Sequence, residues 1–120
     1  MKDTAIQGLL HASPEKRYKS FLNTVADRQE VWLLFSEEGY ATLDLDGFVH
    51  VLVWPRKEFC SLYQSDAEKA VAMEVHDFIE KCEELEESVR FMVFPTNENC
   101  YIVTAQQLRE DLQIHLEELE

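Results

Sequence analysis

The sequence contains only three glycines and three prolines in 120 residues, which excludes collagen-like repeats and low-complexity linkers. No apolar run approaches the roughly 18 residues that a transmembrane helix requires. The first residues also lack the basic stretch and long apolar run of a secretory signal. We therefore predict neither a membrane span nor a cleaved leader.

Glycine occurs only at positions 8, 39 and 47, so neither a GxGxxG fingerprint nor a phosphate-binding P-loop is present. The cysteines Cys60, Cys82 and Cys100 form no CxxC pair, which argues against a disulfide framework and against a zinc site of the usual spacing. Each lies among apolar residues. We expect buried free thiols in a reducing cytoplasm.

Basic residues are scarce: 11 Lys and Arg stand against 24 Asp and Glu, for a formal net charge of −13. Residues 1–60 hold seven bases and nine acids, whereas residues 61–120 hold four and fifteen. Because phosphate backbones and anionic membranes bind basic surfaces, this balance predicts no nucleic-acid or membrane partner. The acidity favours either simple solubility or the binding of a basic partner.

Hydrophobic residues make up 46% of the chain, which is enough for a packed core. Residues 1–12 are interpreted as an N-terminal arm or short helix, with Ile6, Leu9 and Leu10 as a possible self-association face. Residues 13–120 are predicted to form one domain. Ser13-Pro14-Glu15 is typical of a helix start, and helical spacing of apolar residues extends that helix to about Arg28.

Three strands are predicted next, over residues 30–35, 40–45 and 48–54, as an antiparallel meander. Asp46-Gly47 is a strong signal for a type I′ turn between the second and third strands. A short helix is expected after Pro55, and a weaker strand over residues 70–73. A helix from about Val75 to Ser88 follows.

Residues 90–94 and 100–103 are predicted to form a C-terminal hairpin, and Thr104-Ala105-Gln106-Gln107 matches a capping box that begins a final helix. The fold class is therefore α+β: a single domain with a mostly antiparallel sheet of about five strands, on which the helices pack.

Several ordered segments are distinctive together: Val25-Ala26-Asp27 before Glu30-Val31-Trp32-Leu33-Leu34, Gly39-Tyr40-Ala41, Val53-Trp54-Pro55 with Phe59, Phe94-Pro95-Thr96, and Val103-Thr104 leading into Leu108 and Leu112. In this order and spacing the chain resembles the domain of unknown function 2750 family. The resemblance implies a bacterial, cytosolic, single-domain protein and no substrate. The chain departs from the family at Cys60, where members often carry Ala, and at residues 97–99, where they carry Gly.

Few residues indicate chemistry. His76 and Glu80 lie one helical turn apart, with Glu83 or Glu84 a turn further, so this face could hold a divalent metal; a solvated helix face is the favoured interpretation. His50 is interpreted as a structural histidine, and Trp32 as a core residue. No catalytic, cofactor-binding or metal-binding residue is assigned.

Two candidate interaction sites remain. Trp54, with Arg56 and Lys57, combines an aromatic residue with two bases, although a buried strand-end Trp is the favoured alternative. Glu80, Glu83, Glu84 and Glu87 are expected to share one acidic helix face.

These features favour a non-enzymatic protein–protein interaction domain with an unidentified and basic protein partner. The alternatives are an immunity or inhibitor protein that masks a basic toxin or nuclease, and a small enzyme or ligand-binding protein with an unrecognised site. A homo-oligomer is a further possibility.

Overall fold

The computed structural model describes residues 8–85, 87–96 and 99–119, and these form an α+β domain around one core. Residues 8–10 are helical. The longer elements are, in chain order, α1 (Pro14–Arg28), β1 (Glu30–Ser36), β2 (Gly39–Tyr40), β3 (Thr42–Leu45), β4 (Phe48–Val53), α2 (Lys57–Ser61), β5 (Lys69–Glu74), α3 (Val75–Glu84), β6 (Val89–Val93), β7 (Tyr101–Thr104) and α4 (Ala105–Glu118).

Local sequence signals place several element ends as predicted. Ser13 is the N-cap of α1, and its hydroxyl accepts a hydrogen bond from the Lys16 backbone N–H. The turn between β3 and β4 has positive φ at both Asp46 (55°) and Gly47 (83°), as a type I′ turn requires. Thr104 caps α4 by accepting from the Gln107 N–H at 3.1 Å, while the Gln107 amide bonds to Asp111.

The strands form two sheets in the described chain instead of one sheet of about five strands. One sheet has the order β2-β1-β5 and the other β3-β4-β6-β7. The predicted second strand is divided at Ala41, which donates to Leu34 O of the first sheet and accepts from Leu52 N of the second. Ala41 belongs to neither β2 nor β3 and bonds to both sheets. The chain of the predicted meander therefore passes from the first sheet to the second at this residue.

The weakly predicted strand at residues 70–73 is confirmed as β5, which runs antiparallel to β1 over six residue pairs. The C-terminal hairpin is also confirmed, since β6 and β7 pair antiparallel. In contrast, β4 and β6 pair in parallel. A parallel pair needs a long crossover, and here α2, β5 and α3 provide it.

Helix α3 ends at Glu84, four residues before the predicted end, because Leu85 already has extended backbone angles. The chain then enters β6 at Val89. The core lies between the helices and both sheets: Val31 and Leu33 of β1 belong to it, the Phe78 ring packs on Phe91, and Tyr18 stacks on Tyr101. Trp32, predicted as a core residue, packs against this core from a partly buried position.

Candidate functional site

The predicted recognition spot at Trp54 is not a surface anchor. Trp54 is 0% exposed, and its indole N–H donates to the Pro95 carbonyl at 3.2 Å. Arg56 is half-buried and pairs with Glu58 at 3.0 Å, while Lys57 is exposed. Only the two bases of this segment are therefore accessible, and one of them already has a carboxylate partner.

The four predicted acidic residues Glu80, Glu83, Glu84 and Glu87 are all exposed. The first three lie on α3, while Glu87 follows the end of that helix and does not share its face. Helix α4 lies beside α3, and Arg109 on α4 reaches Glu83 at 3.8 Å. We define the acidic surface as the exposed carboxylates of these adjacent helices, Asp77, Glu80, Glu83, Glu84, Glu110, Glu117 and Glu118.

His76 and Glu80 are both exposed on α3, as the favoured interpretation of a solvated helix face predicts, and the His76 side chain bonds to Glu74. Glu74 is the N-cap of α3 and accepts from the backbone N–H groups of His76 and Asp77. Slight burial would raise the pKa of Glu74, but these hydrogen bonds and the His76 side chain lower it. Within the described residues, no group of three or more His, Cys, Asp or Glu could hold a metal ion.

His50 is buried, with 2% exposure, and its Nδ1 lies 3.2 Å from the Leu43 carbonyl. This placement agrees with a structural histidine. The thiols of Cys60 and Cys82 are free and buried, as predicted, whereas Cys100 is only partly buried. Burial raises the pKa of Cys60 and of Cys82 to about 12, so neither is a thiolate nucleophile at neutral pH.

A cavity of about 540 Å³, which no sequence pattern predicts, lies at the end of the four-stranded sheet where β4 and β6 begin. We call this end of the sheet the open end. The ends of α3 and β7 and the start of α4 complete the wall. The lining residues are Phe48, Cys82, Glu83, Leu85, Glu87, Val89, Arg90, Thr104, Ala105, Gln106 and Arg109.

The opposite end of the same sheet, where the strands β4 and β6 finish, is the closed end. It is filled by the buried Arg17 side chain, which donates to the carbonyls of Phe94, Ala12 and Asn99 and to the Asn99 side chain. Phe94 has a positive φ of 51°, an uncommon conformation for a bulky residue. Arg17 bonds to the Phe94 carbonyl and therefore supports the backbone at this strained position.

A shallow groove between α1 and α4 contains the third group of polar side chains. Tyr18 donates to Asp111 at 2.5 Å, and His115 Nδ1 lies 2.9 Å from the Asp111 carbonyl. Burial, together with the Asp111 carboxylate, raises the pKa of Tyr18 above its usual range. The phenol is therefore a fixed hydrogen-bond donor and does not act as a base.

Two of the three residues of the possible self-association face pack within the same chain. Leu9 and Leu10 pack against the core of the same chain, and Ile6 lies outside the described residues. No helix within residues 8–85, 87–96 and 99–119 is long and apolar enough to cross a membrane.

The family model for DUF2750, described as a protein of unknown function, matches residues 18–112. The match begins within α1, one residue after Arg17, and includes both sheets and the first half of α4. No curated protein matches the chain. The resemblance identified from the sequence is thus confirmed.

Proposed function

We propose that this chain, which belongs to the DUF2750 family, is a non-enzymatic protein–protein interaction domain whose acidic surface binds a basic protein segment. The bacterial and cytoplasmic setting expected from the family resemblance is part of this proposal. The observation that carries it is the excess of exposed carboxylates over bases on α3 and α4.

Two bases approach the acidic surface within the described residues. Lys81 Nζ lies 3.9 Å from Glu84, and Arg109 lies 3.8 Å from Glu83. Both pairs are substantially exposed, so each contributes little to stability. Asp77, Glu80, Glu110 and Glu117 take part in no described ion pair, and their charges are available to steer a cationic partner.

Helix α1, on the other side of α4, has a different charge. Its exposed side chains include Lys16, Lys19 and Arg28 against Glu15 and Asp27. Arg28 also pairs with Glu30, so α1 is close to neutral, and a basic partner is attracted more strongly to the α3–α4 side than to α1. This asymmetry supports an oriented docking surface over a uniformly acidic coat that serves solubility alone.

The narrower hypothesis of an immunity or inhibitor protein uses the same surface, with a basic toxin or nuclease as the partner. It differs only in the consequence of binding, which a nuclease inhibition assay measures. The acidic surface by itself favours neither version.

The test compares two charge variants of equal net charge. In the first, Glu80, Glu84, Glu110 and Glu117 are replaced by Gln. In the matched control, Glu37 and Glu38 are replaced by Gln, and Asp44 and Asp46 by Asn; all four are exposed and lie in the β-hairpins. The probe is a fluorescent Lys- and Arg-rich helical peptide, and binding is followed by anisotropy at several salt concentrations.

The first variant is expected to weaken peptide binding about tenfold, because it removes the docking charges, while the control changes it much less. Equal weakening in both variants would mean that only net charge matters and would contradict the proposal. Binding that does not depend on salt would contradict it as well.

A further inference from the structure

The open-end cavity contains an arginine whose hydrogen-bonding capacity is not used. The Arg90 guanidinium lies over the Phe48 ring, with Cζ 3.7 Å from the ring centroid. Its Nε is buried and has no hydrogen-bond partner among the described residues. A buried N–H without an acceptor is costly, and for a charged group the cost is larger. The Arg90 side chain as a whole is only partly buried and lines the cavity, so its other guanidinium N–H groups, which no described residue accepts, are available to an acceptor from outside the chain.

The contact with Phe48 restricts where that acceptor can lie. The cation–π attraction holds Arg90 Cζ over one face of the Phe48 ring, 3.7 Å from its centroid. An oxyanion can therefore accept from Arg90 only at the sides of the guanidinium that the ring does not cover.

The start of α4 adds further donors to the same cavity. The Thr104 hydroxyl satisfies the Gln107 N–H, but the first N–H groups of a helix, here those of Ala105 and Gln106, have no acceptor within the helix. Both residues line the cavity. The helix dipole also places partial positive charge at this point.

The acidic residues of the cavity limit the negative charge that a bound ligand can carry. Glu83 pairs with Arg109, so these two charges offset each other, and the exposed Glu87 lies in the lining. Arg90 is thus the lining cation that pairs with no carboxylate of the described residues. In a chain of net charge −13, a dianion meets stronger repulsion than a monoanion. Leu85, Val89 and Ala105 provide apolar wall for an uncharged part of the ligand.

We propose that the open-end cavity is a binding site for a small monocarboxylate with an apolar group, whose carboxylate accepts hydrogen bonds from Arg90 and from the first N–H groups of α4. This inference goes beyond the proposed docking function and does not depend on it. It gives a specific binding site to one alternative interpretation of the sequence, that of a small ligand-binding protein.

The experiment measures binding of benzoate to the full chain by calorimetry, with benzamide, phosphate and benzylamine as comparison probes at matched ionic strength. Benzoate is expected to bind about tenfold more tightly than benzamide, which has the same ring without the charge. Benzamide binding as tightly as benzoate would overturn the proposal. Phosphate or benzylamine binding more tightly than benzoate would overturn the assignment to a monocarboxylate.

The matched variants are Arg90→Gln and Arg56→Gln, since Arg56 is an arginine outside the cavity whose partner is Glu58. Arg90→Gln should weaken benzoate binding about tenfold, and Arg56→Gln should leave it unchanged. Equal affinity for benzoate in the Arg90 variant and the wild type would overturn the proposal.

A second measurement needs no substitution, in case Arg90→Gln does not fold. The ¹H–¹⁵N signals of the Arg90 guanidinium should shift as benzoate saturates the wild-type protein, while those of Arg56 stay in place. An Arg90 signal that does not move at saturation would overturn the proposal.

Discussion

The two ends of the four-stranded sheet each hold an arginine near a phenylalanine ring, but the two arginines are bonded very differently. At the closed end, Arg17 is 1% exposed and donates to three backbone carbonyls, with its Cζ 5.9 Å from the Phe94 ring centroid. At the open end, Arg90 contacts Phe48 more closely, yet its buried Nε has no acceptor among the described residues.

The difference separates a structural arginine from a binding arginine. Arg17 connects the start of α1 to the strained turn after β6, and its hydrogen bonds are made within the chain. Arg90 lies in the wall of a cavity and leaves a donor unused. A fully bonded arginine stabilises the fold, whereas an arginine with a free donor in a cavity can serve a ligand.

The largest expected effect is on stability at the closed end. Arg17→Gln should lower the free energy of unfolding by about 3 kcal/mol, because it leaves buried carbonyls without their charged donor. Arg90→Gln, which breaks no described hydrogen bond, should cost less than about 1 kcal/mol. Urea denaturation of both variants checks this. Equal losses would remove the distinction between the two arginines.

Over the measured range of pH 8 to 10, alkaline pH should have the next largest effect. The folded chain holds the protons of Cys60 and Cys82 up to about pH 12, whereas the unfolded chain releases them near pH 9. Their contribution is complete below pH 9 and is lost as pH rises towards 12, at about 1.4 kcal/mol per pH unit for each thiol. Denaturation at pH 8, 9 and 10 measures the slope.

Cys60→Ala and Cys82→Ala should each reduce this slope. Cys82 lies in the lining of the open-end cavity, so the slope measured for Cys82→Ala also tests whether water reaches the cavity wall at this thiol. A slope unchanged by Cys82→Ala would mean that this thiol ionises normally in the folded state and that water reaches it.

A smaller effect is expected for Tyr18→Phe, which keeps the ring stacked on Tyr101 but removes the hydrogen bond to Asp111. The free energy of unfolding at pH 7 should fall by about 1 kcal/mol. Tyr40→Phe is the control, because Tyr40 is 43% exposed. If the two variants were equally stable, the Tyr18–Asp111 bond would not contribute to joining α1 and α4.

The smallest expected effect is that of salt. Like charges at helical spacing on the acidic surface destabilise each helix by roughly 0.2–0.5 kcal/mol per pair, and salt screens them. The melting temperature should therefore rise as NaCl increases to about 1 M, where the Debye length is about 3 Å. Replacing Glu80 and Glu84 by Gln should flatten this rise. A flat or falling melting temperature in the wild type would show that the acids are already neutralised.

Local patterns predicted the parts of the fold that depend on neighbours in the sequence. The caps at Ser13 and Thr104 and the turn at Asp46-Gly47 are each decided within about four residues, by hydroxyl acceptors or by positive φ. The division of the second strand at Ala41 was not predictable in this way, since the partners Leu34 and Leu52 come from different sheets.

The candidate site was predicted only in part for the same reason. The acidic residues of α3 were visible from helical spacing, but the roles of Arg17 and Arg90 depend on distant partners. Arg17 reaches carbonyls as far as 82 residues away along the chain. One signal was available for Arg90: a charged residue within the apolar strand β6, which would have to find an aromatic or acidic neighbour on the sheet.

The order of the strands in the two sheets also has a consequence for folding kinetics. The three-stranded sheet takes β1, β2 and β5, while the other takes β3, β4, β6 and β7, so neither sheet comes from one continuous stretch of chain. Each sheet must close a long loop that contains strands of the other, and loop closure of this kind costs entropy before the contacts form. Neither sheet can therefore form first as an independent unit. The two sheets are expected to gain and lose their structure together, in one cooperative step.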